Sequence, residues 1–180
     1  GQSVSLNAQL SSVRKIYYLS FQDQHALDSD WTAAFDVFNT SRNYFNSVTT
    51  GTNLNFTRDS YGGNLTFGHP LGQFFGFKHA DRLSMFATYL VENVTVQNAG
   101  GEAGVRLAHL FNNGLTSSAR LSLSFDSRNN RIYPSQGQYH TVSAEQAPKW
   151  LGSDNLFTRY RLTSRLYFPL PWDFVFKTNF

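Results

Sequence analysis

Charged side chains fall at every second position in several segments of this chain, which makes them the first candidates for chemistry. Residues two apart point to the same side of a β-strand, so these charges would share one face. Arginine and carboxylate groups on one wet face can pair and stiffen it, or they can line an aqueous path. The set comprises Arg120, Glu145, Arg159, Arg161, Arg165 and Lys177.

The sequence lacks the usual patterns of catalysis and of metal or nucleotide binding. Its 5 histidines have no ligand spacing, and it contains no cysteine, so we expect no metal site. No Gly-x-Ser-x-Gly elbow occurs. The glycines of 100–104 are not followed by the Lys-Ser/Thr pair of a phosphate-binding loop. We therefore expect a protein that is not an enzyme and that uses no cofactor.

The composition excludes several other classes. Among 180 residues, 15 are Lys or Arg and 12 are Asp or Glu, and the basic residues form no run, so nucleic acid is not an expected partner. No segment approaches the ~18–20 apolar residues of a membrane-spanning helix. Charged residues make up only 15% of the chain and aromatic residues 16%, while the mean hydropathy is −0.36. This combination is typical of apolar and polar residues that alternate one by one.

Alternation of this kind predicts nine strands and no convincing helix, with only weak helical spacing over Val105–Phe111. Each strand is expected to have roughly 9–12 residues, enough to cross a membrane at a tilt. Two strands define the apolar side most clearly, through Leu121, Leu123 and Phe125 and through Leu162, Leu166 and Phe168. The predicted strands are Ser3–Ser11, Lys15–Gln22, Trp31–Phe38, Tyr61–Gly68, Leu83–Val91, Ser118–Asp126, Tyr139–Glu145, Arg159–Phe168 and Asp173–Phe180.

The predicted fold class is all-β, an antiparallel transmembrane β-barrel. A soluble ligand-binding barrel alternates in the same way with its apolar face inward, and it remains an alternative. Charges on the polar side and aromatic residues near strand ends favour the membrane form. Long polar loops are expected over Arg42–Asn53, Val94–Gly114 and Ala147–Asn155. Nine strands would leave unpaired edges in lipid, which is costly, so we expect a piece of a larger barrel.

The most distinctive stretch surrounds a predicted turn. Asp126-Ser-Arg128 ends one strand, and Pro134-Ser-Gln-Gly137 precedes the next. Asp126 and Arg128 can point to one side, while Pro134 fixes its φ and Gly137 permits a conformation that other residues resist. Two further stretches accompany this motif, Ser60-Tyr-Gly-Gly-Asn-Leu-Thr-Phe-Gly-His-Pro70 and Gly152-Ser-Asp-Asn155.

These three stretches, in this order, resemble the BamA-like outer-membrane protein assembly barrels, and the Gly-Ser-Asp-Asn stretch resembles the bacterial BamA type. By this resemblance, residues 1–180 are a partial barrel domain, strands three to eleven of sixteen. They contain neither a POTRA domain nor the Val-Arg-Gly-aromatic loop of the family. The resemblance implies extracellular connections at Ser11–Arg14, Arg42–Asn53, Val94–Gly114 and Ala147–Asn155, and tight periplasmic turns at Ala26–Asp30, Pro70–Ala80, Asn129–Gly137 and Pro169–Asp173.

The resemblance also implies a function. Such barrels fold and insert nascent outer-membrane proteins in the bacterial outer membrane, without enzymatic chemistry. The implied partners are the lipid bilayer, nascent outer-membrane proteins and the lipoproteins of the assembly complex. The charged set would then face the lumen, either stiffening the wall or contacting a loop inserted there. A polypeptide-secretion or passive outer-membrane pore with the same wall is the alternative function.

Overall fold

The structure, a computed structural model, describes residues 1–47, 53–73, 82–97 and 112–180, without the side chains of 45–47, 53–55 and 73. In these ranges, nine strands form one antiparallel sheet in which each strand pairs with the next along the chain. The prediction of nine strands and an all-β fold is confirmed. The strands are β1 (Gln2–Leu10), β2 (Arg14–Asp23), β3 (Thr32–Ser47), β4 (Asn53–Pro70), β5 (Leu83–Gln97), β6 (Gly114–Asp126), β7 (Gly137–Ala147), β8 (Phe157–Pro169) and β9 (Val175–Asn179).

Helical structure is limited, in the described ranges, to 3₁₀ turns of three residues such as Lys149–Leu151. None of these segments has the length and apolar character that a membrane-crossing helix needs. The weak helical spacing at Val105–Phe111 lies outside the described residues.

The pairing register gives the sheet two chemically different faces. Leu123 pairs with Met85 and Val142, and Val142 pairs with Leu162, so one row of apolar side chains crosses four strands. The adjacent row, on the opposite side, is polar. We call these sides the apolar face and the polar face. The apolar face stays uncovered: Leu162, for example, is 70% exposed. Along the other strands, the apolar face includes Val4, Leu6, Leu19, Phe21, Phe35, Val37, Leu65, Phe67, Tyr89, Leu121 and Phe168.

Most strands are longer than the sequence predicts, and the difference is largest for three of them. β3, β4 and β5 extend beyond the expected strand length, and the pairing of β3 with β4 continues to Ser47 opposite Asn53. The prediction of a long loop over Arg42–Asn53 was therefore wrong. The Asn, Ser and Thr residues in this range are typical of loops, but their backbone groups can form the hydrogen bonds of a strand as well as those of any other residue.

Antiparallel order places successive connections at alternate rims. The first rim carries 11–13 and 148–156, and the second rim carries 24–31, 127–136 and 170–174. The tight turn expected at Asn129–Gly137 is instead a longer folded loop. Two turns of the second rim hold a non-glycine pair at positive φ, Leu27-Asp28 and Trp172-Asp173. This pattern is typical of the type I′ hairpin turn, which Asn-Gly usually fills.

Candidate functional site on the polar face

A buried carboxylate organises the polar face near the first rim. Glu145 of β7 is 5% exposed. Its Oε2 accepts a hydrogen bond from Arg120 Nε at 3.1 Å, and it forms ion pairs with Arg120 Nη2 at 3.0 Å and Arg159 Nη1 at 3.8 Å. Ser118 donates to the other oxygen at 3.1 Å. These four residues, the Glu145 cluster, join β6, β7 and β8 and leave neither carboxylate oxygen without a partner.

The loop of 148–156 covers the beginning of β6. β7 pairs with β6 only from Ala119 onward, so the residues before Ala119 need other partners on that side. The backbone N–H of Asp154 donates to the Leu115 carbonyl, and the Asp154 carboxylate accepts from the Leu115 N–H, both at 2.8 Å. Ser153 Oγ accepts from the N–H of Ser117 at 3.3 Å. The Gly-Ser-Asp-Asn stretch thus takes the place of a strand along the edge of β6.

The turn motif closes through a bidentate ion pair. Arg128 donates from Nε and Nη2 to the two oxygens of Asp126 at 2.9 and 2.8 Å, and the Arg128 N–H also donates to this carboxylate. The hydrogen bonds that Arg128 donates to Asp126 raise the pKa of its guanidinium above the ordinary value. The pair therefore persists wherever the carboxylate is ionised.

Gly137 allows the close approach on which this loop depends. Its φ is +107°, and a Cβ at this position would collide with the carbonyl oxygen of Ser127 and lie 2.9 Å from Cα of Arg128. Pro134, the other turn residue of the motif, lies within the loop, before Gly137. The Arg128 guanidinium lies over the Tyr139 ring at 4.8 Å and contacts Tyr167. The beginning of the loop therefore packs against the polar face.

A cavity of about 620 Å³ lies between this loop and strands β8 and β9. Arg165 shares the Tyr139 ring with Arg128, at 5.8 Å, and Lys177 lies over the Tyr167 ring at 5.7 Å. We call this space the basic cavity, since its charged walls are all cationic. Its lining consists of Arg128, Arg131, Ile132, Tyr133, Pro134, Ser135, Arg165, Tyr167, Val175 and Lys177.

Positive charge on this part of the polar face is not balanced. Among the described residues, Arg161, Arg165 and Lys177 form no ion pair with a carboxylate. Asp126 is the carboxylate beside the basic cavity, and Arg128 occupies both of its oxygens. The cavity therefore keeps a net positive charge that the described chain does not neutralise.

The structure places every residue of the predicted charged set on the polar face, but it groups them unequally. Arg120, Arg159 and Glu145 come together, Arg165 and Lys177 line the cavity, and Arg161 stands opposite Ser143. The predicted apolar set, which is Leu121, Leu123, Phe125, Leu162, Leu166 and Phe168, lies on the opposite face.

Some polar-face residues escaped the sequence analysis. Arg58 and Glu92 form an ion pair at 3.1 Å, and Ser60 also donates to Glu92. The predicted strands stopped short of Arg58 and Glu92; continuing the alternation by a few residues would have included both. Tyr139 and Tyr167 went unnoticed because aromatic residues on a polar side carry no separate signal. In the described ranges, no group of three or more acidic, histidine or cysteine residues could hold a metal ion.

The fold and its two faces define the wall of an antiparallel β-barrel of the outer-membrane type. Residues 1–180 match the model of the Omp85 superfamily domain, and the chain belongs to this superfamily of outer-membrane protein insertion and secretion. It is similar to the crystal structure of BamA from Haemophilus ducreyi lacking POTRA domains 1–3, with a TM-score of 0.67 and 16% identity over 99% of the chain. The chain spans 34% of the length of the chain in that structure. No curated protein sequence matches it.

Proposed function

We propose that this chain is part of the barrel wall of a bacterial outer-membrane assembly factor that folds and inserts nascent outer-membrane proteins. In this proposal the apolar face contacts the lipid bilayer and the polar face lines the lumen. The factor works without enzymatic chemistry or a cofactor. Nascent outer-membrane proteins are its clients, and the lipoproteins of an assembly complex are its further partners.

The observation that carries this proposal is the uncovered apolar face. Rows such as Met85–Leu123–Val142–Leu162 run across the strands, and their side chains remain exposed to a large extent. Burial of apolar surface contributes ~25 cal/mol per Å², so a face of this size left in water forfeits much of the folding free energy. Lipid covers such a face in an outer-membrane barrel, whereas a soluble barrel turns its apolar side inward.

Two adjacent residues of β6 test the assignment of the faces. Leu123 lies on the apolar face and Ser122 on the polar face, in the middle of the strand. Leu123→Arg should destabilise the full-length barrel by about 2–4 kcal/mol if position 123 meets lipid near the midplane, whereas Ser122→Arg should have a small effect. Refolding equilibria in lipid vesicles measure both values. Equal effects, or a larger loss at Ser122, would contradict the assignment.

Client insertion tests the function itself. The full-length protein is reconstituted into lipid vesicles and supplied with an unfolded client barrel, in buffer without nucleotide or metal. Faster client folding than in empty vesicles is the expected result, with the client's resistance to protease as the readout. No acceleration over empty vesicles, or acceleration only on addition of nucleotide, would refute the proposal.

A polypeptide-secretion or passive pore is the second candidate, and the unpaired cations favour it. Arg161, Arg165 and Lys177 would give a water-filled lumen an excess of positive charge, which favours anions. Planar-bilayer recordings distinguish the two functions. Steady anion-selective conductance without client insertion would support the pore, and insertion without such conductance would support the assembly factor.

A further inference from the structure

We propose that the lipid surface ends on this wall at one row of paired residues, and that β3, β4 and β5 continue beyond this row into water. The row consists of Tyr17, Asn39, Tyr61 and Asn93, which pair in succession from β2 to β5, and we call it the boundary row. Its partner is the layer of lipid headgroups. The inference rests on the proposed contact between the apolar face and lipid, and client insertion plays no part in it.

The boundary row alternates phenol and amide side chains on the apolar face. Asn93 Nδ2 donates to the Tyr61 hydroxyl at 3.0 Å. A tyrosine can place its ring beside acyl chains and its hydroxyl among polar groups, whereas an asparagine amide would lose hydrogen bonds in hydrocarbon. Headgroups satisfy both side chains. The next row toward the second rim contains Leu19, Val37, Gly63 and Val91, which suit acyl chains.

A second row limits the apolar face on its other side, at a distance that fits a membrane. Trp31, directly before β3, packs edge-on against His69 of β4, with ring centroids 4.7 Å apart. Asn39 follows Trp31 by eight positions, and His69 follows Tyr61 by eight. Eight strand residues span about 27 Å, or roughly 19–22 Å along the membrane normal at the usual tilt. The apolar band of outer-membrane barrels is ~25 Å tall, so the two rows enclose most of such a band.

Beyond the boundary row, toward the first rim, the two sides of the sheet exchange character. The side continuous with the apolar face now carries polar groups that bond to one another. Thr57 donates to Asn43 at 2.9 Å, and Gln97 donates to Asp59 at 3.1 Å. Such groups lose hydrogen bonds in hydrocarbon and suit water. On the described parts of β3, β4 and β5, this side consists of Ser41, Asn43, Thr57, Asp59, Thr95 and Gln97.

The opposite side, continuous with the polar face, becomes apolar at the same level. Tyr44 stacks on Phe56 with ring centroids 4.8 Å apart, and Arg42 lies over the Tyr44 ring at 5.8 Å. Phe56 is 7% exposed and Val94 2%. A sheet with one buried apolar side and one polar side is typical of proteins in water. Since β2 and β6 flank these strands, the reversal does not depend on either end of the chain.

Cysteine labelling along β5 tests the position of the lipid surface. Residues 1–180 contain no cysteine, and any cysteine elsewhere in the full-length protein is replaced by serine. The single variants are Ala87→Cys and Thr88→Cys between the two rows, and Val94→Cys and Gln97→Cys beyond the boundary row. Ala87 and Gln97 lie on the outward side, and Thr88 and Val94 on the inward side. Each variant is placed in lipid vesicles with a charged maleimide present on both sides of the membrane.

We expect labelling at Gln97→Cys to be at least ~tenfold faster than at Ala87→Cys, because the reactive thiolate needs water. Val94→Cys should also react slowly, since Val94 is buried. A fluorophore attached at Ala87→Cys should be quenched by lipids with brominated acyl chains. Thr88→Cys is the matched control at the same depth, and its fluorophore should escape this quenching, as should the one at Gln97→Cys.

Slow labelling at Gln97→Cys together with quenching by brominated lipid would overturn the proposal, because lipid would then extend past the boundary row. Faster labelling at Val94→Cys than at Gln97→Cys would also overturn it, because the inward side would not be packed. Asn39→Cys, in the boundary row of β3, provides a second measurement if a β5 variant misfolds. Its fluorophore should be quenched more strongly by bromine near the headgroups than by bromine near the chain ends, and the reverse order would contradict the proposal.

The same measurements separate this inference from the proposed function. Fast labelling without quenching at Ala87→Cys would refute the contact of the apolar face with lipid, and with it both proposals. Quenching at both Ala87→Cys and Gln97→Cys would refute the boundary row alone. The expected labelling pattern in a protein that inserts no client would support the boundary row while refuting the assembly function.

Discussion

The Glu145 cluster and the basic cavity use the same residue types on the same face and differ in what surrounds them. In the Glu145 cluster, one buried carboxylate receives two arginines and a serine from neighbouring strands. At the basic cavity, the loop's own arginine saturates the carboxylate, and the cations of β8 and β9 receive no charged partner from the described chain. The first arrangement joins three strands, and the second leaves cations without a carboxylate partner among the described residues.

The comparison shows that the contribution of a charged residue to the barrel wall depends on the complete set of partners in its cluster. A buried carboxylate with all its partners is a structural element, because removing any one partner leaves another group unsatisfied. Exposed cations that rest on aromatic rings contribute little to stability. Substitutions in the Glu145 cluster should therefore lower the folding stability more than substitutions of Arg165 or Lys177.

Two glycines at positive φ, Gly137 at the end of the loop of 127–136 and Gly152 in the loop of 148–156, should show the largest difference in stability. Gly137→Ala adds a Cβ that collides with the loop backbone, whereas a Cβ at Gly152, with φ +82°, meets nothing within 4 Å. We expect Gly137→Ala to destabilise the barrel by about 3 kcal/mol and Gly152→Ala by about 1 kcal/mol. Urea titration in lipid vesicles measures both, and a similar loss at the two positions would mean that the loop of 127–136 adjusts freely.

Neutralising either carboxylate, Glu145 or Asp126, should have the next largest effect on the stability of the barrel. Glu145→Gln strands two arginines on the wall, and we expect a loss of about 2 kcal/mol. Asp126→Asn affects an ion pair that is local to one loop and more exposed, so its loss should be about 1 kcal/mol. The temperature at which the folded barrel loses its fast electrophoretic mobility ranks the two variants. A larger effect at Asp126 would reverse the assigned roles.

The loop of 148–156, which covers the beginning of β6, should contribute less to the stability of the barrel. Asp154→Ala removes the acceptor of the Leu115 N–H, and we expect a loss of about 1 kcal/mol, as for other capping contacts. Ser135→Ala is the control, because Ser135 lies in the opposite rim and its recorded hydrogen bonds stay within its own loop. Hydrogen exchange at Leu115 and Ser117 should rise in Asp154→Ala and stay unchanged in the control.

The smallest effect on stability is expected at the basic cavity. Arg165→Gln and Lys177→Gln remove cations that have no carboxylate partner in the described ranges, so the unfolding temperature should not fall. A clear decrease would show that these cations serve the wall, and it would remove the distinction between the two regions.

Much of this architecture follows from the sequence by itself. Alternation of apolar and polar residues is a local property, and it determined the number of strands, the antiparallel class and the face on which Leu123 or Arg161 lies. The motif of Asp126, Arg128, Pro134 and Gly137 also marked the correct connection, because the preference of proline and glycine for special φ values is local as well.

Only the tertiary structure decided which of these residues meet. The extension of β3 to Ser47 depends on pairing with β4, and the role of Ser153 and Asp154 depends on where β7 stops along β6. The basic cavity requires a loop that folds back until Arg128 reaches Tyr139 and Tyr167. Such contacts join residues far apart in the chain, and a two-residue period contains no information about register. The difference between the Glu145 cluster and the basic cavity is therefore visible only once the strands are paired.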